Sequence, residues 1–220
     1  MPQLIIWLIS LVALFSASVK AQTQADGITQ LKQFLSQVQS AEGEFEQQQL
    51  RAPRAGEDKP KVLRKSSGRY VFKRPGQFLW ETQKPFAQKV ISNGQQILIW
   101  DPDLNQLSIR PIARGLAASP AALLFGEQAL ENNFDLISGG EKGGVQWVEL
   151  KPKGDAAAVQ NYVRLGLGFS DGLPRALELH DNFGVVTIIG LGKMRININV
   201  EAQQFKFEPP KNAEILKLNQ

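Results

Sequence analysis

The sequence predicts an α+β domain: one long antiparallel sheet of about eleven strands, curled into an incomplete barrel, with helices on its concave side. Three observations predict it. Helical spacing of apolar residues is confined to one stretch near the N-terminus. A two-residue alternation then takes over and persists almost to the C-terminus. A single short helical segment, punctuated at both ends, interrupts that alternation halfway. So many strands in sequence cannot form a flat sheet, because strand twist accumulates, and a curled sheet encloses space for a ligand.

Residues 1–21 are set apart from this domain. Leu4 to Phe15 is a nearly unbroken apolar run, followed by Ser16 to Ser18 and by Val19-Lys20-Ala21. This is the pattern of an export signal cut after Ala21, although Met1 to Gln3 holds no Lys or Arg and leaves the leading charge to the amino terminus. The run is shorter than the roughly 20 residues of a membrane-spanning helix. Residues 22–220 are then expected to form a single domain with one substantial core.

Asp26 to Ser40 reads as an amphipathic helix, with Ile28, Leu31, Phe34, Leu35 and Val38 on one stripe. Asp26 is the expected N-cap, and Gly43 lies past the end. Strands are expected at Glu44–Leu50, Lys61–Lys73, Gln77–Gln83, Phe86–Ser92, Gln95–Asp101 and Leu104–Ile112. Arg51 to Pro60 is a polar loop, Asn93-Gly94 a tight hairpin turn and Asp101-Pro102-Asp103 another turn. Ser119-Pro120 followed by Ala121 to Gly126 has an N-cap, a first-turn proline and a terminal glycine. So short a helix must dock through Leu123, Leu124 and Phe125, and Glu127 to Asn132 makes a second helical turn. Strands resume at Phe134–Ser138, Val145–Lys151, Val159–Phe169, Leu173–Asp181, Val185–Leu191 and Ala202–Phe207, with Pro209-Pro210 closing the last.

Composition narrows the function. The net charge of +4 falls to about +3 once Lys20 leaves with the signal, too weak and too evenly spread for a nucleic-acid partner. There is no Cys, so no thiol nucleophile, thiolate metal site or acylated N-terminal cysteine is expected, and an exported domain must rest on its core alone. The single His, His180, alternates against Leu177 and Leu179 and reads as a solvated strand residue. Asp101, Asp103 and Asn105 imitate a calcium loop, but Gln106 stands where its glycine belongs and Ile112 where its glutamate belongs. Gly166 and Gly168 lie within a strand pattern with no helix after them to receive a phosphate. No enzyme chemistry, metal or cofactor is expected.

The stretch Lys73 to Trp80 concentrates what remains. Pro75-Gly76 makes a turn between two strands, Arg74 stands at its start, and Phe78 and Trp80 share a face. A guanidinium at the edge of an apolar surface must find acceptors or stay wet. Phe78, Trp80, Ile91, Trp100, Leu107, Ile109 and Trp147, with Leu123, Leu124 and Phe125, are the candidate lining of the concave face. They either close-pack into an ordinary core or leave room for an apolar ligand, and composition does not choose between the two.

These residues carry a resemblance. Lys73-Arg74-Pro75 with Phe78-x-Trp80, Val90 to Gly94, Trp100-Asp101-Pro102 with Gln106, Ser119-Pro120 with Leu123-Leu124, and Phe205-x-Phe207-x-Pro209-Pro210, in that order, resemble the LolA family of periplasmic lipoprotein carriers. The resemblance implies an unclosed barrel with a helical lid over a hydrophobic cavity. It makes Arg74 the latch that hydrogen-bonds the lid, and Phe78 and Trp80 cavity and mouth positions. It also implies acylated lipoproteins as cargo, an inner-membrane ABC transporter (LolCDE) as donor and the outer-membrane receptor LolB as acceptor, with the carrier a soluble periplasmic monomer. LolB itself carries an acylated cysteine, which this chain lacks. A LolA-like domain that senses lipid or peptide in the periplasm is the alternative. The Arg51–Pro60 loop is longer than the family pattern implies.

Overall fold

In the computed structural model, which describes residues 25–111, 124, 130–153 and 162–218, helix α1 (Gly27–Gln37) leads into a thirteen-stranded sheet. The export signal expected at residues 1–21 lies outside the described residues, as does most of the helix expected at 119–125. The first half of the sheet holds β1 (Ser40–Arg51), β2 (Lys61–Lys73), β3 (Gln77–Lys84), β4 (Gln88–Asn93), β5 (Gln96–Asp101) and β6 (Gln106–Pro111). A short helix α2 (Leu130–Asn133) precedes β7 (Phe134–Lys142), β8 (Val145–Pro152), β9 (Tyr162–Ser170), β10 (Leu173–Asp181) and β11 (Val185–Leu191). Two small strands follow, β12 (Arg195–Ile196) and β13 (Glu214–Lys217).

The strand order is β13-β6-β5-β4-β3-β2-β1-β11-β10-β9-β8-β7, with β12 pairing β1 off this path. The outermost strands β13 and β7 are not paired with each other, so the barrel is unclosed, as expected. Two expectations need correction at the C-terminal end. Ala202–Phe205 is a turn of 3-10 helix rather than a strand, closed by Gln204 N–H on Glu201 O at 3.1 Å and Lys206 N–H on Gln203 O at 3.2 Å. Its Phe205-x-Phe207 spacing imitates a strand, but both rings serve to pack on the sheet's outer face. The chain then continues past Pro209-Pro210 into β13, which runs parallel to β6 and breaks the otherwise antiparallel pattern.

Helix α1 forms where the apolar spacing placed it, and Asp26 caps it: its side chain accepts from Thr29 N–H at 2.9 Å. It ends at Gln37, earlier than the spacing implies, because Val38 turns extended. Leu31, Phe34 and Leu35 are buried toward the sheet, and the helix packs across β7 to β10. Gln30 is buried among them, its Nε2 donating to Ala25 O at 2.6 Å and its Oε1 accepting from Gly172 N–H at 2.8 Å. The second of these bonds ties the helix to the β9–β10 turn.

The alternation sorts side chains onto two faces. The inner face, under α1, buries Phe45, Tyr70, Phe72, Phe78, Trp80, Val90, Ile97 and a row from β8 to β11. The outer face of β2 to β6 buries Val71, Leu79, Ile91, Leu98, Trp100 and Leu107 beneath Val200 and Phe205. At Gly68 the strands approach so closely that a methyl group would stand 1.9 Å from Glu81 O, which only glycine avoids.

Candidate functional site

Lys73 pairs with Gln77 across the β2–β3 turn, leaving Arg74, Pro75 and Gly76 as its three residues. Gly76 takes a left-handed φ of 65°, and its carbonyl accepts from the buried Ser92 hydroxyl at 2.5 Å. The Arg74–Pro75 bond is cis. This turn sets Arg74 at the end of the inner face, where it is 7% exposed.

The contacts of that guanidinium tie together elements distant in sequence. Arg74 Nε donates to Val38 O at 3.0 Å, and its own backbone N–H donates to Gln39 O at 2.8 Å. Both carbonyls belong to the chain just leaving α1, where a helix runs out of donors for its last oxygens. Nη2 donates to Leu124 O at 2.9 Å, and Leu124 is itself helical and buried. The guanidinium carbon stands 5.2 Å from the Phe72 ring centroid and 5.5 Å from that of Phe34. Burial pushes the Arg74 pKa down to about 10, so the group is still a cation at neutral pH.

Asn197 completes the junction. Its φ of 52° is left-handed, its Oδ1 accepts from Gln39 N–H at 2.8 Å, and its Nδ2 donates to Gln37 O at 3.2 Å. The α1–β1 junction is therefore held from one side by Arg74 and from the other by Asn197. Sequence reasoning missed Asn197 because its partners are some 160 positions away and nothing local marks it. Gln30 left a signal, a polar residue within the apolar stripe of α1.

Of the residues expected to line one concave face, the structure brings Arg74, Phe78, Trp80 and Leu124 together. Trp80 stacks on Phe45 with ring centroids 3.8 Å apart, and the Tyr70 ring centroid lies 5.9 Å from that of Trp80. Ile91, Trp100, Leu107 and Ile109 are placed on the opposite face. The register is the reason: Ile91 stands opposite Leu79, whereas Trp80 stands opposite Val90. Trp100 then pairs with Leu107 and Leu98 with Ile109, all under the C-terminal segment. Trp147 is in neither cluster; its ring lies across Gly166 and Gly168, where added methyl groups would come within 3.5 Å and 3.2 Å of it. Those two glycines make room for an indole. Leu123 and Phe125 lie outside the described residues.

Two grooves lie along β1 and β2, each mixing polar side chains with apolar ones, Phe45 and Leu191 in the first and Tyr70 and Val71 in the second. One of about 460 Å³ is lined by Glu44, Glu46, Ser67, Gln83 and Lys84 among others, and one of about 450 Å³ by Glu42, Arg69 and Arg195 among others. His180 Nε2 lies 2.5 Å from Glu178 Oε1 and 2.9 Å from Arg164 Nη2, a half-buried charge cluster on the sheet surface. Among the described residues, no group of three or more His, Cys, Asp or Glu is placed to hold a metal ion. No helix among them is long and apolar enough to cross a membrane.

Comparison with known proteins gives the family of the chain. An outer-membrane lipoprotein carrier protein of Cupriavidus necator is 40% identical over 205 residues, covering 93% of this chain and 94% of its own. One from Nitrosospira multiformis is 34% identical over 206 residues, covering 93% of this chain and 95% of its own. Among solved structures, an uncharacterized conserved protein from Thermus thermophilus shares the fold at a TM-score of 0.54 and 14% identity, over 87% of this chain and 96% of that one. A LolA superfamily protein from Nitrosomonas europaea does so at 0.50 and 8%, over 84% and 99%. The profile of the family described as outer membrane lipoprotein carrier protein LolA matches residues 36–208, and the chain belongs to that family.

Proposed function

We propose that this protein is a periplasmic chaperone that takes up lipoproteins by their acyl chains and carries them from the inner to the outer membrane. The observation that carries the reading is the Arg74 Nη2 bond to Leu124 O, made by a buried cation at the end of an apolar face. Sequestering about ten methylenes stabilises a bound chain by roughly 8 kcal/mol, which a carrier must supply and then relinquish. A charge-assisted hydrogen bond is worth roughly 1.5–3 kcal/mol, enough to bias an opening equilibrium without freezing it. Cargo acyl chains then compete with the Leu124 segment for the inner face, so the latched empty state and the unlatched loaded state stay close in energy. Loading from an ABC transporter of the inner membrane and unloading onto a LolB-type receptor complete the cycle. The carrier needs neither catalytic group nor cofactor for any of these steps.

The test is a mixture of the purified protein with a triacylated lipoprotein. A soluble complex with the acylated form, and none with the same polypeptide lacking its lipid, is the expected result. A lipoprotein that stays aggregated or membrane-bound overturns the reading.

A further inference from the structure

The charge of this chain is unevenly placed, against the even spread expected above. Residues 51–65 hold six cations (Arg51, Arg54, Lys59, Lys61, Arg64, Lys65) and two acids (Glu57, Asp58). That is +4, equal to the net charge of the whole chain, so the other Lys and Arg are balanced by the other Asp and Glu. Glu57 is engaged by Arg51 at 2.9 Å, while none of the remaining five cations has an ion pair among the described residues.

The same segment projects. Lys61, Val62 and Arg64 to Ser66 pair with β1, Leu63 standing at a register shift, but none of them has a partner on β3, whose pairing with β2 begins at Ser67. Arg51 stands opposite both Lys61 and Val185, and Asp181 opposite Tyr162, so the tip of the β1–β2 hairpin lies beside the β10–β11 turn. Bare apolar groups stand there: Phe183 is 86% exposed at that turn, with Val62 at 45% and Leu63 at 50% on the arm. Phe86 and Leu104, on the β3–β4 and β5–β6 turns of the same end, are exposed too. At the opposite end the described turns (74–76, 94–95, 143–144, 171–172) carry no exposed large apolar residue. Of the acids at the charged end, Asp101 and Asp181 are turned onto their own backbones, accepting from Asp103, Leu104, Phe183 and Val185 N–H groups. Among the described residues Asp58 and Asp103 stay exposed, and Asp135 is paired by Lys153 at 3.5 Å, too few to cancel the field.

We propose that this end of the sheet docks on an anionic phospholipid bilayer. Arg54, Lys59, Lys61, Arg64 and Lys65 meet headgroup phosphates, and Phe183, Val62 and Leu63 enter the interfacial layer. The apolar groups sit on separate hairpins interleaved with long cationic stems. That suits a deformable layer of mobile headgroups better than the shaped face of one protein. The assignment stands apart from what the inner face carries, since it needs no cargo.

The experiment is flotation of the protein recovered from the periplasmic fraction, without cargo, with vesicles containing phosphatidylglycerol or made of phosphatidylcholine alone. Binding to the anionic vesicles only, weakening as salt is raised, is expected. Arg64→Gln with Lys65→Gln should lose about thirtyfold in affinity, at roughly tenfold or less per cation removed. Phe183→Ser should lower the binding that survives at high salt, with an unchanged melting temperature. Absence of binding to anionic vesicles at low salt overturns the proposal, as does indifference to both substitutions. Binding to polyglutamate with none to vesicles would assign the surface to an acidic protein and equally overturn it.

Discussion

Arg74 and Leu124 lie fifty positions apart in the chain, yet the guanidinium of one donates to the carbonyl of the other at 2.9 Å inside the protein. The same side chain holds Val38 O, so one cation joins the helical segment at Leu124 to the end of α1. Arg74→Leu removes both bonds. It should shift the latched state toward opening by roughly 1.5–3 kcal/mol, about ten- to hundredfold in population. Loaded protein should accumulate and handover to a receptor should slow, as measured by transfer of labelled lipoprotein. Transfer at the normal rate by the variant would remove Arg74 from the latch.

Trp80 and Trp100 separate the two faces. Both are buried, and truncating either to alanine should cost about 3–5 kcal/mol in denaturant unfolding. Below the onset of unfolding, only Trp80→Ala should change the affinity for acylated cargo, because Trp100 packs against Phe207 on the outer face at 5.3 Å. Equal effects of the two on cargo would contradict this division.

How far the sequence foretold the site follows from these same residues. Alternation put Phe78 and Trp80 on one face correctly, because that inference is local to β3. It failed for Ile91 and Trp100, because each strand alternates clearly while its phase against the next is set by pairing: Ile91 meets Leu79, and Trp100 meets Leu107. A one-residue phase difference moves a whole strand's apolar set to the other side. A second buried layer was also hard to foresee, since it is completed by Val200, Phe205 and Phe207 from a stretch whose spacing imitates a strand. Arg74 was legible as a cation beside a turn, but not its acceptors, which are backbone carbonyls and leave no trace in residue type.

Gln30 should behave as a structural clamp. Gln30→Ala leaves Gly172 N–H and Ala25 O without their partners and should cost about 1–3 kcal/mol, read from urea unfolding. Its effect on cargo affinity should be small, since Gln30 contacts the β9–β10 turn rather than the Arg74 end. A stability unchanged within error would show those two bonds to be replaceable by water.

Glu81 should make stability sensitive to acid. Burial raises its pKa, but Arg69 and Lys89, the latter at 3.2 Å, outweigh that and hold the carboxyl below its usual value. A carboxylate depressed in the folded state stabilises above its unfolded pKa, and the increment disappears as pH falls through the folded value. Glu81→Gln should therefore lower stability at neutral pH by at most about 1 kcal/mol, given solvent screening. The difference from the unsubstituted protein should vanish in strong acid. Thermal melts at both pH values decide it, and a gap that persists in acid would point to packing rather than charge.

The most direct measurement is crosslinking from the two faces to bound cargo. A photoreactive residue in place of Phe78, on the inner face, is compared with one in place of Leu107, on the outer face, using a lipoprotein with labelled acyl chains. Attachment of the acyl label from position 78 and none from position 107 is the predicted result. Label captured from position 107, or from neither position in a complex that demonstrably contains cargo, would contradict an acyl-binding inner face.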